Sequence, residues 1–397
     1  MAALVLGACT RRPAGATREP TTARSDPAAA QPADAADPTA LLAEGEAAHD
    51  DGRHAEAVAL IGRALADGGL ATDDERRALV VLAASQEAMR DCTAVLRTYE
   101  LYLARFPEAP DRAVTDARRG ACQAELGQWQ ASADSFAAVA DAPGQLPSTR
   151  IEALARQGFA LFNLDRFDDA ERVLARADAL FEQAEREQSE RFASYYFVGM
   201  ARFYRGAIHH RRFREVAIEL PENVMKQRFE QKLALLREAQ DAYNHTIRAK
   251  HMFWVSAAGY QLGALFSEFY DALMHAPVPT WLDAKQRRIY YDELKKQIRP
   301  VVDKAIWVLE KNLETARRLG FESEFTAQTE ARLSHLQATL ASDAPELGRP
   351  LPRLAELDAA AATSPEPDAT AGTDAPQDAP SPADRKLFVP QPTPLAP

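Results

Sequence analysis

Cysteine is scarce in this 397-residue chain, with three copies and no CxxC pair. That excludes a disulfide-stapled mini-scaffold and any cysteine-rich zinc or iron–sulfur module. Long apolar runs are missing too: none approaches the roughly 18 residues of a membrane-spanning helix. Lysine is absent before Lys226, and with the abundance of alanine this reads as the bias of a GC-rich genome rather than as function. The patterns GxxxxGK(S/T), GxGxxG, HExxH and GxSxG do not occur, which leaves no motif-borne nucleotide, zinc-protease or serine-hydrolase chemistry.

Proline is nearly absent from the middle of the chain. Of 25 prolines, five fall in residues 10–38 and twelve in 343–397, leaving eight for the 304 residues between. Two Pro/Ala/Asp-rich tails, expected to be disordered, therefore flank one ordered body. That body exceeds the ~250–300 residues at which a single core stops growing, so several units or a repeat array are expected. Apolar residues make up 46% of the chain, ample for a core, and a mean hydropathy of −0.34 fits a soluble protein. Net charge is −11 over 1–200, +7 over 201–320 and −7 over 321–397. The acidic total disfavours nucleic acid, whereas the basic middle leaves room for an anionic partner.

Self-comparison of the chain exposes a repeat. A small residue recurs at Gly45, Ala83, Gly120 and Gly158. Seven residues after each comes a turn residue: Gly52, Arg90, Gly127 and Asp165. Nine positions further on stand the bulky Ile61, Tyr99, Phe136 and Leu174. The spacing predicts amphipathic helix pairs, with small residues letting the two helices approach and bulky residues filling the space between neighbouring units. A single pair cannot bury its own apolar stripe, so the units stack. The pattern resembles the tetratricopeptide repeat, most clearly in AEGEAAHDDGRHAEAVALIGRAL and RQGFALFNLDRFDDAERVLARA. The expected fold is thus an all-α, tetratricopeptide-like helical-hairpin solenoid, with four repeats over 39–187.

Residues 188–342 read as a continuation and cap, with longer helices at 189–214, 222–250, 252–274 and 283–319 and a short one at 323–340. Pro300 falls inside the fourth and is expected to kink it. The stretches WVSAAGYQLGALFSEFYDALMHAPVP and YYDELKKQIRPVVDKAIWVLEKNLETARRLG look like the carboxy-terminal region of tetratricopeptide envelope proteins of myxobacteria and relatives, some of which belong to gliding-motility machinery. That resemblance implies scaffolding at the cell envelope.

The N-terminus points the same way. Leu6-Gly7-Ala8-Cys9 has the form of a bacterial lipobox, although no basic residue precedes it and its apolar stretch is short for a signal. Residues 1–9 are read as a truncated signal with Cys9 as the lipidation site, and 10–38 as a tether. The implied location is the envelope, lipid-anchored and facing the periplasm, with the outer membrane preferred; a spurious lipobox would leave the protein in the cytoplasm.

In the resembled family the first helices line a concave groove. The corresponding positions here are Glu46, His49, Glu87, Phe159, Phe162 and Asn163, together with Ala84, Ala117, Ala121 and Glu152. The family's clamp for a free C-terminus is missing, since Leu42, Val80, Ala117 and Ala155 stand in place of its cations. Arg202, Arg205, Arg211, Arg212 and Arg214, interleaved with aromatics, form a candidate basic patch, and Arg287, Arg288, Lys295, Lys296 and Arg299 a second basic run. Cys92 and Cys122 fall on neighbouring helices and make a candidate disulfide against the reading of two buried thiols. His209 and His210 point about 100° apart on a helix and cannot serve one metal from it, so no metal, cofactor or catalytic residue is assigned. The expected function is a non-catalytic protein–protein interaction scaffold for other envelope proteins. An envelope module for an anionic polymer such as peptidoglycan or lipopolysaccharide, and an unrecognised enzyme, stand as alternatives.

Overall fold

A helix that must reverse within three residues needs one of them in the left-handed region, where glycine is favoured. The four turn residues of the repeat all adopt it: φ is 76° at Gly52, 61° at Arg90, 70° at Gly127 and 57° at Asp165. Each turn closes with the same bond from an amide to the carbonyl five residues back, Arg53 to Ala48, Asp91 to Gln86, Gln128 to Gln123 and Arg166 to Leu161, at 2.8–3.0 Å. These features come from a computed structural model that describes residues 37–278 and 281–341. The lipobox at Cys9, the tether up to residue 36 and the 343–397 tail lie outside the described residues.

The turns join four hairpins: α1 (Pro38–Asp50) with α2 (His54–Asp67), α3 (Thr72–Ala88) with α4 (Cys92–Arg105), α5 (Arg112–Glu125) with α6 (Trp129–Asp141), and α7 (Pro147–Asn163) with α8 (Phe167–Glu187). The chain continues through α9 (Tyr196–Glu215), α10 (Glu222–Arg248), α11 (Met252–Met274), α12 (Ala284–Arg318) and α13 (Glu324–Ala341). There is no strand among the described residues, and the architecture is an all-α helical-hairpin solenoid.

Close approach inside each hairpin is set by the small residue. A Cβ on Gly45 would lie 2.5 Å from Ile61, on Gly120 3.1 Å from Phe136, and on Gly158 2.3 Å from Leu174. The bulky residue thus fills the gap within its own hairpin, not the one between units as the periodicity implied. The longer helices use the same device, with Gly199 against Trp254, Gly206 against Tyr243 and Gly263 against Leu309. One apolar cluster runs from α5 to α13, and two smaller ones serve the first units.

One boundary differs from the sequence reading. Helix α9 begins at Tyr196 rather than 189, because Gln188 ends α8 in the left-handed region and 188–195 become a link, where Phe181, Phe192 and Tyr195 pack ring on ring. Helix α12 continues through Pro300, which lies inside it as the sequence reading placed it and is exposed, so the backbone bond it forfeits is left on the solvent side.

The close approach can be measured directly. Gly158→Val should cost about 1–3 kcal/mol, because Leu174 occupies the space it needs. Gly62→Ala, at an open position inside α2, should gain about 0.5–1 kcal/mol. Denaturant titration of both variants checks the contrast, and equal effects would contradict this packing.

Candidate functional site

The first helices of units two to four, α3, α5 and α7, line a groove of about 680 Å³. Its floor is small and apolar, with Ala84, Ala117, Ala121 and Ala153 above Phe136 and Val139. Its rim is charged but internally matched. Glu87 accepts from Arg118 and from the Tyr99 hydroxyl, Arg90 donates to Glu125 at 3.2 Å, and Arg156 donates to Glu152 at 2.8 Å. Burial works against the Arg118 charge, yet Glu87 and Tyr99 overcome it and hold its pKa above the ordinary value. Burial, reinforced by Glu87, also pushes the Tyr99 phenol up, so it stays a donor.

Cys92 and Cys122 both reach this groove as buried free thiols. The Cys92 thiol donates to Glu125 Oε2 at 3.0 Å. Its contact with Cys122, then burial, then Glu125, push its pKa up, which keeps it a weakly nucleophilic thiol. The candidate disulfide is therefore a thiol–thiol contact in this structure.

Among the residues proposed for the groove, Glu87 lies in it, as do Ala84, Ala117, Ala121 and Glu152. Glu46 and His49 instead tie α1 to α3, Glu46 through Arg77 at 2.6 Å and His49 through the Ser85 hydroxyl at 2.8 Å. Phe159 and Phe162 are buried, with ring centroids 4.9 and 5.1 Å from Tyr204. Helix α9 packs on α7 and covers them, a contact from the next unit that α7 alone does not announce. Asn163 spends its amide on the Phe159 carbonyl of its own helix, at 2.8 Å.

Arg118, Arg156 and Glu125 were missed by sequence reasoning. A signal existed for the first: Arg77 pairs with Glu46 and Arg118 with Glu87, each 31 residues on. A Glu–Arg pair at that interval marks a bridge between successive first helices.

The basic patch is closed by acids of the preceding unit and by Glu268 of α11. Arg202 meets Asp178 at 2.6 Å with both side chains 7% exposed, and Arg205 meets the other oxygen of Asp178 at 3.3 Å. Arg211 faces Asp165 at 3.9 Å, while Arg212 joins Asp168 and Glu171 at 2.6 and 2.8 Å. Arg214 grips Glu268 with two bonds, at 2.6 and 2.7 Å. All five charges are already matched, so 202–214 is a ladder holding α9 to its neighbours and not an open surface for a polyanion. Asp178, Glu182 and His245 come together closely enough for a cation, but the two guanidiniums on Asp178 oppose one.

Arg214 belongs to a network inside the long helices. His210 is fully buried between the Tyr243 hydroxyl at 3.2 Å and Glu268 at 3.1 Å. Lys232 donates to the Phe213 and Val216 carbonyls at 2.7 and 3.0 Å. These groups are consumed by one another and leave no free acid–base pair there.

No known family profile matches the sequence, and no curated protein does. Solved structures are similar at low identity. A tetratricopeptide-repeat protein from Bacteroides fragilis is 14% identical with a TM-score of 0.31, covering 66% of this chain and 98% of that one. The C-terminal part of a tetratricopeptide repeat-containing protein from Cytophaga hutchinsonii is 11% identical with a TM-score of 0.37, covering 75% and 96%. A tetratricopeptide repeat protein from Parabacteroides merdae is 13% identical with a TM-score of 0.35, covering 76% and 98%. Such values carry no functional argument.

The buried network sets a pH dependence. Burial, only partly offset by Glu268, lowers the His210 pKa from 6.5 to about 4. The unfolded chain then binds a proton that the folded one does not, so stability falls as pH drops through that window. Glu268 acts in the same sense, since His210 and Arg214 overcome its burial and hold it well below its ordinary value. Asp271, pushed up by burial from 3.8 to about 6, acts in the opposite sense. Thermal melts at a series of pH values should show a loss of stability from pH 6.5 to 4 that is shallower in His210→Gln; parallel curves would show that His210 does not contribute.

Proposed function

We propose that this chain is a non-catalytic protein-interaction scaffold that receives an apolar peptide segment of a partner protein in the groove of α3, α5 and α7. The observation that carries this reading is the groove itself, an alanine floor inside a rim of pre-matched charges. An apolar floor within a polar rim is the layout of a protein interface, and the small side chains of this floor leave room for a partner's chain. The matched rim favours shape and apolar contact over charge as the source of selectivity. The chemistry of the groove supports binding over catalysis: the Cys92 thiol beside Glu125 is held protonated, and Glu87, Glu125 and Glu152 each accept from an arginine.

The reading extends to location. The Leu6-Gly7-Ala8-Cys9 sequence and the polar segment after it support a lipid-anchored scaffold at the bacterial cell envelope, with other envelope proteins as partners. A sugar polymer is the less favoured ligand, because the arginines it would need at 202–214 are spent on internal pairs.

Two experiments test these points. Val114→Glu with Ala117→Arg places bulk and charge at partly open positions of the groove. It should lower affinity for partners identified by crosslinking at least about tenfold, with an unchanged melting curve. Unchanged affinity would move the site elsewhere. Cys9→Ser should shift the protein from membrane to soluble fractions, and unaltered fractionation overturns the anchor.

A further inference from the structure

Helix α12 is far longer than the helices that flank it. It has 35 residues, against 23 in α11 and 18 in α13. Its register on α11 is set by Gly259 against Asn312 and Gly263 against Leu309. On that antiparallel register the end of α11, Met274, falls opposite residue 298. Ile298 is indeed the first buried residue of α12. The preceding fourteen positions, 284–297, contain none, and only Leu294 among them still packs on the core, so the ten residues 284–293, about 15 Å of helix, run beyond their partner.

That overhang has an unusual composition for a chain with a net charge of −11. Residues 284–299 carry six basic and two acidic side chains. Lys285 and Arg288 have no ion pair among the described residues. The pairs of Lys296 with Glu293 and Arg299 with Asp303 have both members more than half exposed, where such bonds are weak and readily exchanged. Among these cations stand two large apolar side chains in water, Trp281 at 70% exposure and Ile289 at 59%, with the half-buried Tyr290 and Tyr291 beside them. The helix start is firmly made: Asp283 and Gln286 form a reciprocal capping box, which holds the tip helical without a partner.

We propose that this overhang, Trp281 through Arg299, is a contact site for the surface of a membrane rich in anionic lipids. The chemistry matches each layer of such a surface. The indole of Trp281 and the phenols suit the headgroup boundary, and Ile289 enters the acyl edge. Lysine and arginine stems extend past the apolar residues and bring their charges to lipid phosphates. The site is separate from the groove, so the Val114→Glu/Ala117→Arg protein should bind membranes like the parent, and neither result bears on the other.

The test uses the full chain with Cys9→Ser, so that no acyl group contributes. Co-sedimentation with vesicles of phosphatidylcholine alone is compared with vesicles also containing phosphatidylglycerol. Binding is expected to the anionic vesicles only, to weaken with added salt, and to fall at least about tenfold in Arg288→Glu/Lys296→Glu and in Trp281→Ala/Ile289→Ala. These side chains are exposed, so the melting curves should not move. Tryptophan emission should be quenched by brominated lipid in the parent and lose most of that quenching in Trp281→Phe. Equal binding to neutral vesicles, no binding, or charge reversal without effect overturns the proposal. So does a concentration-dependent dimer that the same substitutions abolish, which would make the overhang an interface between copies.

Discussion

How closely the two helices of one hairpin approach is the constraint on which this molecule is built. Where Gly45 and Gly158 stand, even a methyl group would collide with Ile61 or Leu174, and at Gly120 it would crowd Phe136. The absence of a side chain on one helix is what allows a large one on the other to be buried, and that burial is worth about 1.5–3 kcal/mol per residue. The arrangement reaches further than the hairpin. First helices held this close are rich in small residues around much of their circumference, and the face turned away from the partner helix is small as well. Alanines at 84, 117, 121 and 153 leave it unfilled, so the groove follows from the packing rule of the repeat.

The second organising force is charge matched across units. Successive first helices are bridged by Glu46–Arg77 and Glu87–Arg118, and α8 meets α9 through Asp178, Asp168 and Glu171. Exposed members contribute little to stability. The buried pair of Arg202 with Asp178 is different: removing Asp178 would take the short bond from the buried Arg202 guanidinium, so the pair fixes how unit four joins the helices that follow. A cluster of arginines in one segment is therefore weak evidence of a sticky surface in a solenoid, since the acids that answer it lie 24–46 residues back or, for Arg214, 54 residues ahead.

This explains what was legible in the sequence. The turns were, because a left-handed residue and the small residue seven positions before it belong to one helix end, and Gly52, Arg90, Gly127 and Asp165 fell where the interval placed them. Glu87 and Glu152 lie in the groove where the resemblance to the tetratricopeptide repeat placed the outward side of a first helix. Phe159 and Phe162 were not. Whether an outward aromatic stays in the groove or is buried depends on whether the next unit's helix swings over it, and α9 does. The start of α9 was obscured because 188–195 carry aromatics at helical spacing, yet these pack as a link between helices. In each case the deciding partner sat in another unit, beyond the reach of local pattern.

In a stack each unit contacts mainly its neighbours, so energetic coupling decays along the chain. The groove spans units two to four, and the overhang of α12 belongs to the last pair, with the His210–Glu268–Arg214 network between them. That network is a dense set of buried polar bonds that must form together, and such sets rigidify what they join. A rigid middle section holds two end surfaces at a fixed separation without letting either alter the other's affinity. On the proposed roles of the two surfaces, the benefit of joining them is geometric: a protein held at a membrane by one meets partners of that membrane at raised effective concentration through the other. On that reading the length of the solenoid between the two surfaces sets that concentration, and helices α8 to α11 serve as the spacer.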